Sequence, residues 1–510
     1  MSTFTKTLWM LTTISVVCLL AMTSAFSSYA ESLYGDMDFS AVDAYVEAQM
    51  KTLKIPGLAL AIVQGDQIAY MRGYGKADPD GNPVTPQTSF IIGSTTKSFT
   101  ALAIMQLVEA GQIELDAPVQ TYLPWFRVAD PQASAQITVR HLLNQTSGFS
   151  NAAGHDDLAA SDLSDDAIEK RVRSLANVEL VHSPGAVYEY SNPNFQILGL
   201  IVQTVSGQTY ESYMQEHIFD PLEMSHSFTS QDEAMQNGMA TGYSRWFGIP
   251  FPKNVPFNRG SLSGGYLICS VEDLAHYLIA QLNDGRYGTV SVLSSEGIAA
   301  MHEPAVPTET LGGYYGMAWH VGSLDGVSAV YHPGDTANYM TYLLMIPEEK
   351  LGVAVTYNMF SLFAAGGQQQ IAEGVTAIMM GKQPQAYQPL DRLPLMIGSV
   401  VAPAVLSILW ISWMVYRFIR RQRKGLPSRR GFLWAAWVIV LPLLVDLGLL
   451  WVLLMGIPKL WEGNTLGSMA LYFPDMFTLM IVSAVALAGW GVVRTVLTLL
   501  SVRNQPNALP

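Results

Sequence analysis

The sequence predicts an α+β domain followed by an all-α transmembrane region, and three observations carry that prediction. Strand patterns stand at both ends of the stretch 31–385, helical patterns fill the space between, and three long apolar runs follow residue 392. Near the start, runs 58–63 and 67–73 flank Gln64-Gly65-Asp66, a hairpin signal. Near the end, 339–346 and 351–357 flank Pro347-Glu348-Glu349-Lys350, and 316–321 supplies a further short strand. Helical periodicity covers 99–110, 195–205 and 271–282. Strands contributed by both ends of a domain, with helices between, make one antiparallel sheet.

The flanking segments place this domain. Residues 1–30 combine Lys6, an uncharged apolar run and Ser28-Tyr29-Ala30, and read as a signal peptide cleaved after Ala30, with an uncleaved anchor as the alternative. Val17 ahead of Cys18 argues against lipidation of that cysteine. The Pro- and Gln-rich stretch 381–394 contains the linker, 386–392. Runs 393–416, 432–457 and 476–500 each hold the roughly 20 apolar residues that cross a bilayer as a helix, which gives three spans within 393–503 and a tail, 504–510. The short loop 417–430 carries Arg417, Arg420, Arg421, Arg423, Lys424, Arg429 and Arg430, and so belongs on the cytoplasmic side. That leaves 31–385 outside the cell and the tail inside. Asp446 and Arg494 fall within the apolar runs. Counted from the cytoplasmic ends they differ in depth by about 10 Å at 1.5 Å per residue, so no direct pair is expected and anchoring is the reading for the spans.

The net charge of -13 divides unevenly. Residues 31–392 carry 17 Lys+Arg against 38 Asp+Glu, whereas 393–510 carry 10 against 3. An acidic body of this kind has no footprint for nucleic acid. Cys269 is the one cysteine left after signal removal, so no intrachain disulfide is available and packing alone must hold the domain. The most polar stretch, 151–182, with Asp156, Asp157, Asp162, Asp165 and Asp166, is read as a solvated loop or helix face in preference to an active-site lid.

Candidate chemistry begins at "GSTTKSFTALAIMQLVEAG", where Ser94 and Lys97 enter an apolar helix three residues apart. Positions i and i+3 share a helix face, so the amine can reach the serine oxygen, and the helix N-terminus favours a developing alkoxide. An N-cap serine followed by a solvated lysine fits the same four residues. A lysine in the first turn has the wrong sign for the dipole, however, and an apolar helix behind it predicts burial and a lowered pKa. Tyr190-Ser191-Asn192 stands before a helical run, and His332-Pro333-Gly334 interrupts what would otherwise be a strand. Other chemistries lack their motifs. His302-Glu303 is not followed by a second histidine, position 306 being Val, and no serine sits in a G-x-S-x-G elbow. There is no phosphate-binding loop or dinucleotide fingerprint, so neither metal nor cofactor is expected.

In this order, S-x-x-K, Y-x-N and H-x-G resemble the serine β-lactamase-related hydrolases, the family of class C β-lactamases, DD-peptidases, D-aminopeptidases and related esterases. Further stretches similar to that family are "ITVRHLLNQTSGFS", "YMQEHIFDPLEMSHSFT", "GGYLICSVEDLAHYL" and "YGMAWHV", so the resemblance covers about 38–380. It implies an antiparallel sheet with helices on both faces plus a helical subdomain. It also implies that Ser94 is the acylated nucleophile, with Lys97 and Tyr190 managing its proton; which of the two is the base stays open. Asn192 would hold Lys97 or a substrate amide, His332 and Gly334 would contact substrate, and the backbone N–H groups of Ser94 and Asp335 would form the oxyanion hole. The penicillin-recognising members commonly have Lys-Thr-Gly where this chain has His332-Pro333-Gly334, and neutral imidazole is a poorer partner for a carboxylate. The expected activity is hydrolysis of amides or esters of small molecules or short peptides by an integral membrane protein, with oligomeric state open. A non-catalytic receptor for lactams or cell-wall fragments on the same fold is the alternative.

Overall fold

The computed structural model describes residues 38–154, 160–308, 313–361, 365–387, 393–424, 439–460 and 465–503. The expected signal peptide, most of the linker, Asp156 and Asp157, the second half of the basic loop and the tail lie outside the described residues. The chain divides into two compact units, Met1–Ala48 and Gln49–Pro510, and the helix Ser40–Leu53 (α1) begins in the first. The sheet, the cavity and the C-terminal helices all belong to the second.

Six main strands build the sheet: β1 (Gly57–Gln64), β2 (Gln67–Gly75), β3 (His320–Leu324), β4 (Val327–Asp335), β5 (Met340–Ile346) and β6 (Leu351–Tyr357). Their order is β2-β1-β6-β5-β4-β3, continued by Tyr314–Tyr315 and Val306–Pro307, with every pairing antiparallel. The two ends of the domain therefore meet at β1 and β6, where Ala61 faces Ala354. Both expected hairpins form. The first turns at Gly65, whose φ of 65° is open to glycine, and the second closes through Pro347–Glu349 with Lys350 at φ 48°.

Two expectations for strands are corrected. Residues 316–319 form a turn in place of strand, closed by Gly316 N–H to Trp319 O at 2.8 Å and by Ala318 at φ 64°, so β3 starts only at His320. And His332-Pro333-Gly334 does not interrupt β4. The last residue of β4 paired with β3 is Tyr331, so at Pro333 the strand has β5 alone as a neighbour, the kind of position where a strand tolerates proline.

Further helices are α2 (Thr96–Glu109), α3 (Pro193–Ser206), α4 (Val271–Leu282), α5 (Ala365–Met379), α6 (Leu393–Arg423), α7 (Leu441–Trp451), α8 (Leu466–Tyr472) and α9 (Pro474–Arg503). Alternation along β6 covers both faces of the sheet. A side chain at Gly352 would meet Leu278 and Leu282 of α4, while the hydroxyl of Tyr357 donates to Gln368 O of α5 at 2.7 Å. One core joins α2, α3 and α4 to the α4-facing side of the sheet through Phe99, Leu102, Ile197, Leu278, Leu343 and Ala354. Cys269 is buried as a free thiol.

In the C-terminal part, α6 runs on through Arg417, Arg420 and Arg423, so the first half of the expected basic loop is helical. Leu441–Lys459 and Pro474–Val496 are long and apolar enough to cross a membrane, and Ala404–Trp413 is a shorter apolar stretch within α6. Asp446 and Arg494, expected at different depths, instead form a buried ion pair, Nη1 to Oδ2 at 2.8 Å. The arginine side chain reaches along its helix, and Gly491, nearly one turn earlier, leaves the room, since a Cβ there would lie 3.1 Å from Asp446 Oδ2.

Candidate functional site

The site is assembled where the chain entering α2 crosses the end of β4. Gly93 has φ 55°, and a Cβ on it would lie 2.4 Å from Asp335 N; a Cβ on Gly334 would lie 2.1 Å from Ile92 O and 3.0 Å from Ser94 N. Only glycine at both positions permits this contact, which sets the amides of Ser94 and Asp335 next to each other. Ser94 itself sits in a 3-10 turn, Gly93–Thr95, ahead of the α-helix rather than in its first turn. The turn is fixed by Thr95 Oγ1 to Ile92 O at 2.7 Å.

Lys97, in the first turn of α2, is fully buried. Its Nζ donates to Ser94 Oγ at 2.9 Å, Asn192 Oδ1 at 2.9 Å and Gly264 O at 2.6 Å. The acceptors are a hydroxyl, an amide and a carbonyl, none carrying a charge. Burial pulls the amine down to about 7, against the opposing pull of the Asp335 carboxylate. The rings of Tyr190 and Phe195, with centroids 5.0 and 5.7 Å away, compensate the ammonium form in part.

Tyr190 and Asn192 reach the site on a loop clamped by a residue that sequence reasoning left unassigned. Gln145, at φ 57°, accepts from Ser191 N at 2.9 Å and from Asn194 Nδ2 through its side-chain oxygen, and its carbonyl accepts from Glu189 N at 2.8 Å. The stretch "HLLNQTSGFS" carried the signal, as a landmark without a role. Held in this way, Tyr190 lines the cavity with Ser94, its ring centroid 5.0 Å from Lys97 Nζ. Burial raises the phenol well above its ordinary range, with the Ser94 side chain opposing.

His332 is buried beside them. Its Nδ1 lies 2.6 Å from Pro333 O, which can only accept, so the proton is on Nδ1 and Nε2 accepts from the Tyr315 hydroxyl at 3.3 Å. Burial first, then His320 and Lys97, hold this imidazole well below the usual histidine range. Burial likewise pulls His320, whose ring centroid is 5.4 Å away, down to about 4.

A cavity of about 610 Å³ opens over these groups. Ser94, Tyr190, Asn192, His332 and Asp335 line it, and Lys97 lies behind Ser94. Gly334 contributes its close approach to the Ser94 turn. Asn151, at the head of the polar stretch read as solvated, lines the cavity as well, while Asp165 and Asp166 are exposed partners of Arg259 and Lys170. Tyr472 and Phe473, from the junction of α8 and α9, also line it, and nothing in the sequence pattern signalled that. Away from the cavity, His226, Glu272 and Asp273 place ligand-type atoms within 4.8 Å of one another. Asp273 Oδ2 there accepts from His226 N at 2.8 Å and from the Ser227 hydroxyl at 2.7 Å.

Comparison with known proteins gives the following. The family model described as Beta-lactamase matches residues 42–375. Protein flp of Staphylococcus aureus (strain MW2) is 29% identical over 323 residues, and the match spans 63% of this chain and 63% of the length of that curated relative. Penicillin-binding protein 4 of Amycolatopsis lactamdurans is 29% identical over 361 residues, covering 67% of this chain and 92% of the relative. Among solved structures, the octameric penicillin-binding protein homologue from Pyrococcus abyssi is similar with a TM-score of 0.61 and 32% identity, over 68% of this chain and 78% of that one. A class C β-lactamase shares the fold at a TM-score of 0.57 and 19% identity, over 66% and 95%.

Proposed function

We propose that this chain, which belongs to the Beta-lactamase family, is a membrane-tethered extracytoplasmic serine hydrolase that cleaves amide or ester bonds of small peptides or acylated metabolites through an acyl-enzyme on Ser94. One observation carries the reading: the Lys97 amine, pulled down to about 7 by burial, lies 2.9 Å from the Ser94 hydroxyl. Above that pH the neutral amine keeps two N–H bonds, to Asn192 Oδ1 and Gly264 O, and turns its lone pair to the Ser94 O–H. Lys97 takes that proton as Ser94 Oγ attacks the substrate carbonyl carbon, and the oxygen left negative is met by the N–H groups of Ser94 and Asp335. Tyr190, whose phenol burial keeps protonated, gives its proton to the departing amine or alkoxide and recovers one from Lys97. Water then attacks the ester by the same transfers in reverse. The neutral, buried His332 favours substrates that present an uncharged group at that corner.

The tether is supported by apolar side chains left exposed along the C-terminal helices, among them Leu406, Leu409 and Trp413 of α6, Leu447 and Trp451 of α7, and Val485 of α9. The basic residues after the first run and the signal-like N-terminus favour an outside catalytic body.

Intact-mass labelling of the detergent-solubilised full chain with a fluorophosphonate tests the chemistry. One adduct is expected, and Ser94→Ala removes it. Wild-type protein that takes no adduct from either a fluorophosphonate or an acylating lactam would refute the reading; an acylated form that never turns over would favour the receptor.

A further inference from the structure

The wall of the cavity supplied by the C-terminal helices is built with its own supports. The hairpin Tyr243–Trp246/Ile249–Pro252 and the residue after it hold the α8–α9 junction at four points. Lys253 Nζ donates to the carbonyls of Ala470 and Leu471, both at 2.9 Å. Phe247 N–H donates to Asp475 Oδ1 at 2.9 Å, and Trp246 Nε1 donates to Thr478 Oγ1 at 3.2 Å. Leu471 packs with Val255 and Ala337, and the ring of Phe360 meets that of Tyr472 edge-on, centroids 6.2 Å apart. Lys253 is half-buried, and a lysine that spends two bonds on consecutive carbonyls of a helix C-terminus fixes that end in place.

The lining of the cavity is mixed. Asn192, Gln196 and Ser261 supply polar groups, and Phe360, Tyr472 and Phe473 at the α8–α9 junction add apolar rings to those of Tyr188, Tyr190 and Tyr266. We propose that Tyr472 and Phe473 form a specificity wall, so that the substrate is amphiphilic, with its scissile carbonyl at Ser94 and an aryl or branched alkyl group against these two rings. The inference rests on the hydrolase reading. It makes the C-terminal helices part of the substrate site as well as an anchor.

The test uses full-length protein in detergent with two p-nitrophenyl esters, the acetate and the 3-phenylpropionate. In the wild type, kcat/KM favours the aryl ester. In Tyr472→Ala/Phe473→Ala the ratio of the two falls about ten-fold or more, the usual worth of a lost apolar contact in a pocket, and the loss sits in KM. Lys253→Met, which leaves both rings but releases their support, moves the ratio in the same direction and keeps the inference testable if the alanine pair does not fold. An unchanged ratio in whichever of the two variants still takes the fluorophosphonate adduct overturns the wall. Loss of the wild-type adduct overturns the hydrolase reading instead, so the two failures are distinct.

Discussion

Two buried cations, one in each half of the second unit, meet opposite solutions. Arg494 in the C-terminal helices sits against the Asp446 carboxylate at 2.8 Å. Lys97 at the cavity is as deeply buried, yet its three acceptors are neutral and its amine falls to about 7. A guanidinium does not surrender its proton inside a protein, so its burial calls for an anion. An amine can surrender it, and burial without an anion is what makes it do so at neutral pH. The difference separates a guanidinium paired with a carboxylate from an amine that burial loosens from its proton.

The comparison breaks most visibly at Lys97. Lys97→Met, similar in length but without a base, is expected to lower kcat/KM by about 10²–10⁴-fold, the range for a lost general base, while the fold persists by circular dichroism. Full activity in that variant would make the amine a bystander. Next in size is the ion pair. Asp446→Ala leaves a buried guanidinium unmatched and should cost about 3–5 kcal/mol, read as a drop in thermal midpoint in detergent, whereas Asp446→Leu/Arg494→Met recovers most of it. Equal midpoints for the single and double variants would mean that the pair is incidental. The smallest effect is the most pointed. Asn192→Asp gives Lys97 the anion that Arg494 already has, so its amine is held charged to higher pH and the rate at pH 7 falls about ten-fold or more while recovering at alkaline pH.

Much of this was legible in the sequence because it is local. Both hairpins are written in their turn residues, Gly65 and Pro347–Lys350, and α4 starts where Ser270 caps it, its hydroxyl accepting from Asp273 N at 3.1 Å. The spacing of Ser94 and Lys97 on one side of a helix entrance is local as well. What escaped is long-range. The Gln145 clamp joins loops about 45 residues apart through side-chain bonds that leave no periodic trace. The turn at Gly316–Trp319 mimicked a strand because apolar residues there pack into the core, Ala318 and Trp319 among them, without the extended backbone. The Asp446–Arg494 pair was missed because depth was counted along helix axes, while a long side chain reaches across turns. Tyr472 and Phe473 stand just ahead of the apolar run 476–500; their place at the cavity depends on how the C-terminal helices pack, which no short window of sequence contains.

With Lys97 as the proposed neutral base for Ser94, fluorophosphonate acylation should follow the titration of its amine. In full-length wild-type protein the second-order labelling rate should be low in acid, rise through about pH 7 as the amine loses its proton, and level off above it. A rate that stays flat from about pH 5 to 9 would contradict the account, because the group that activates Ser94 would then not be one that titrates where burial has set Lys97.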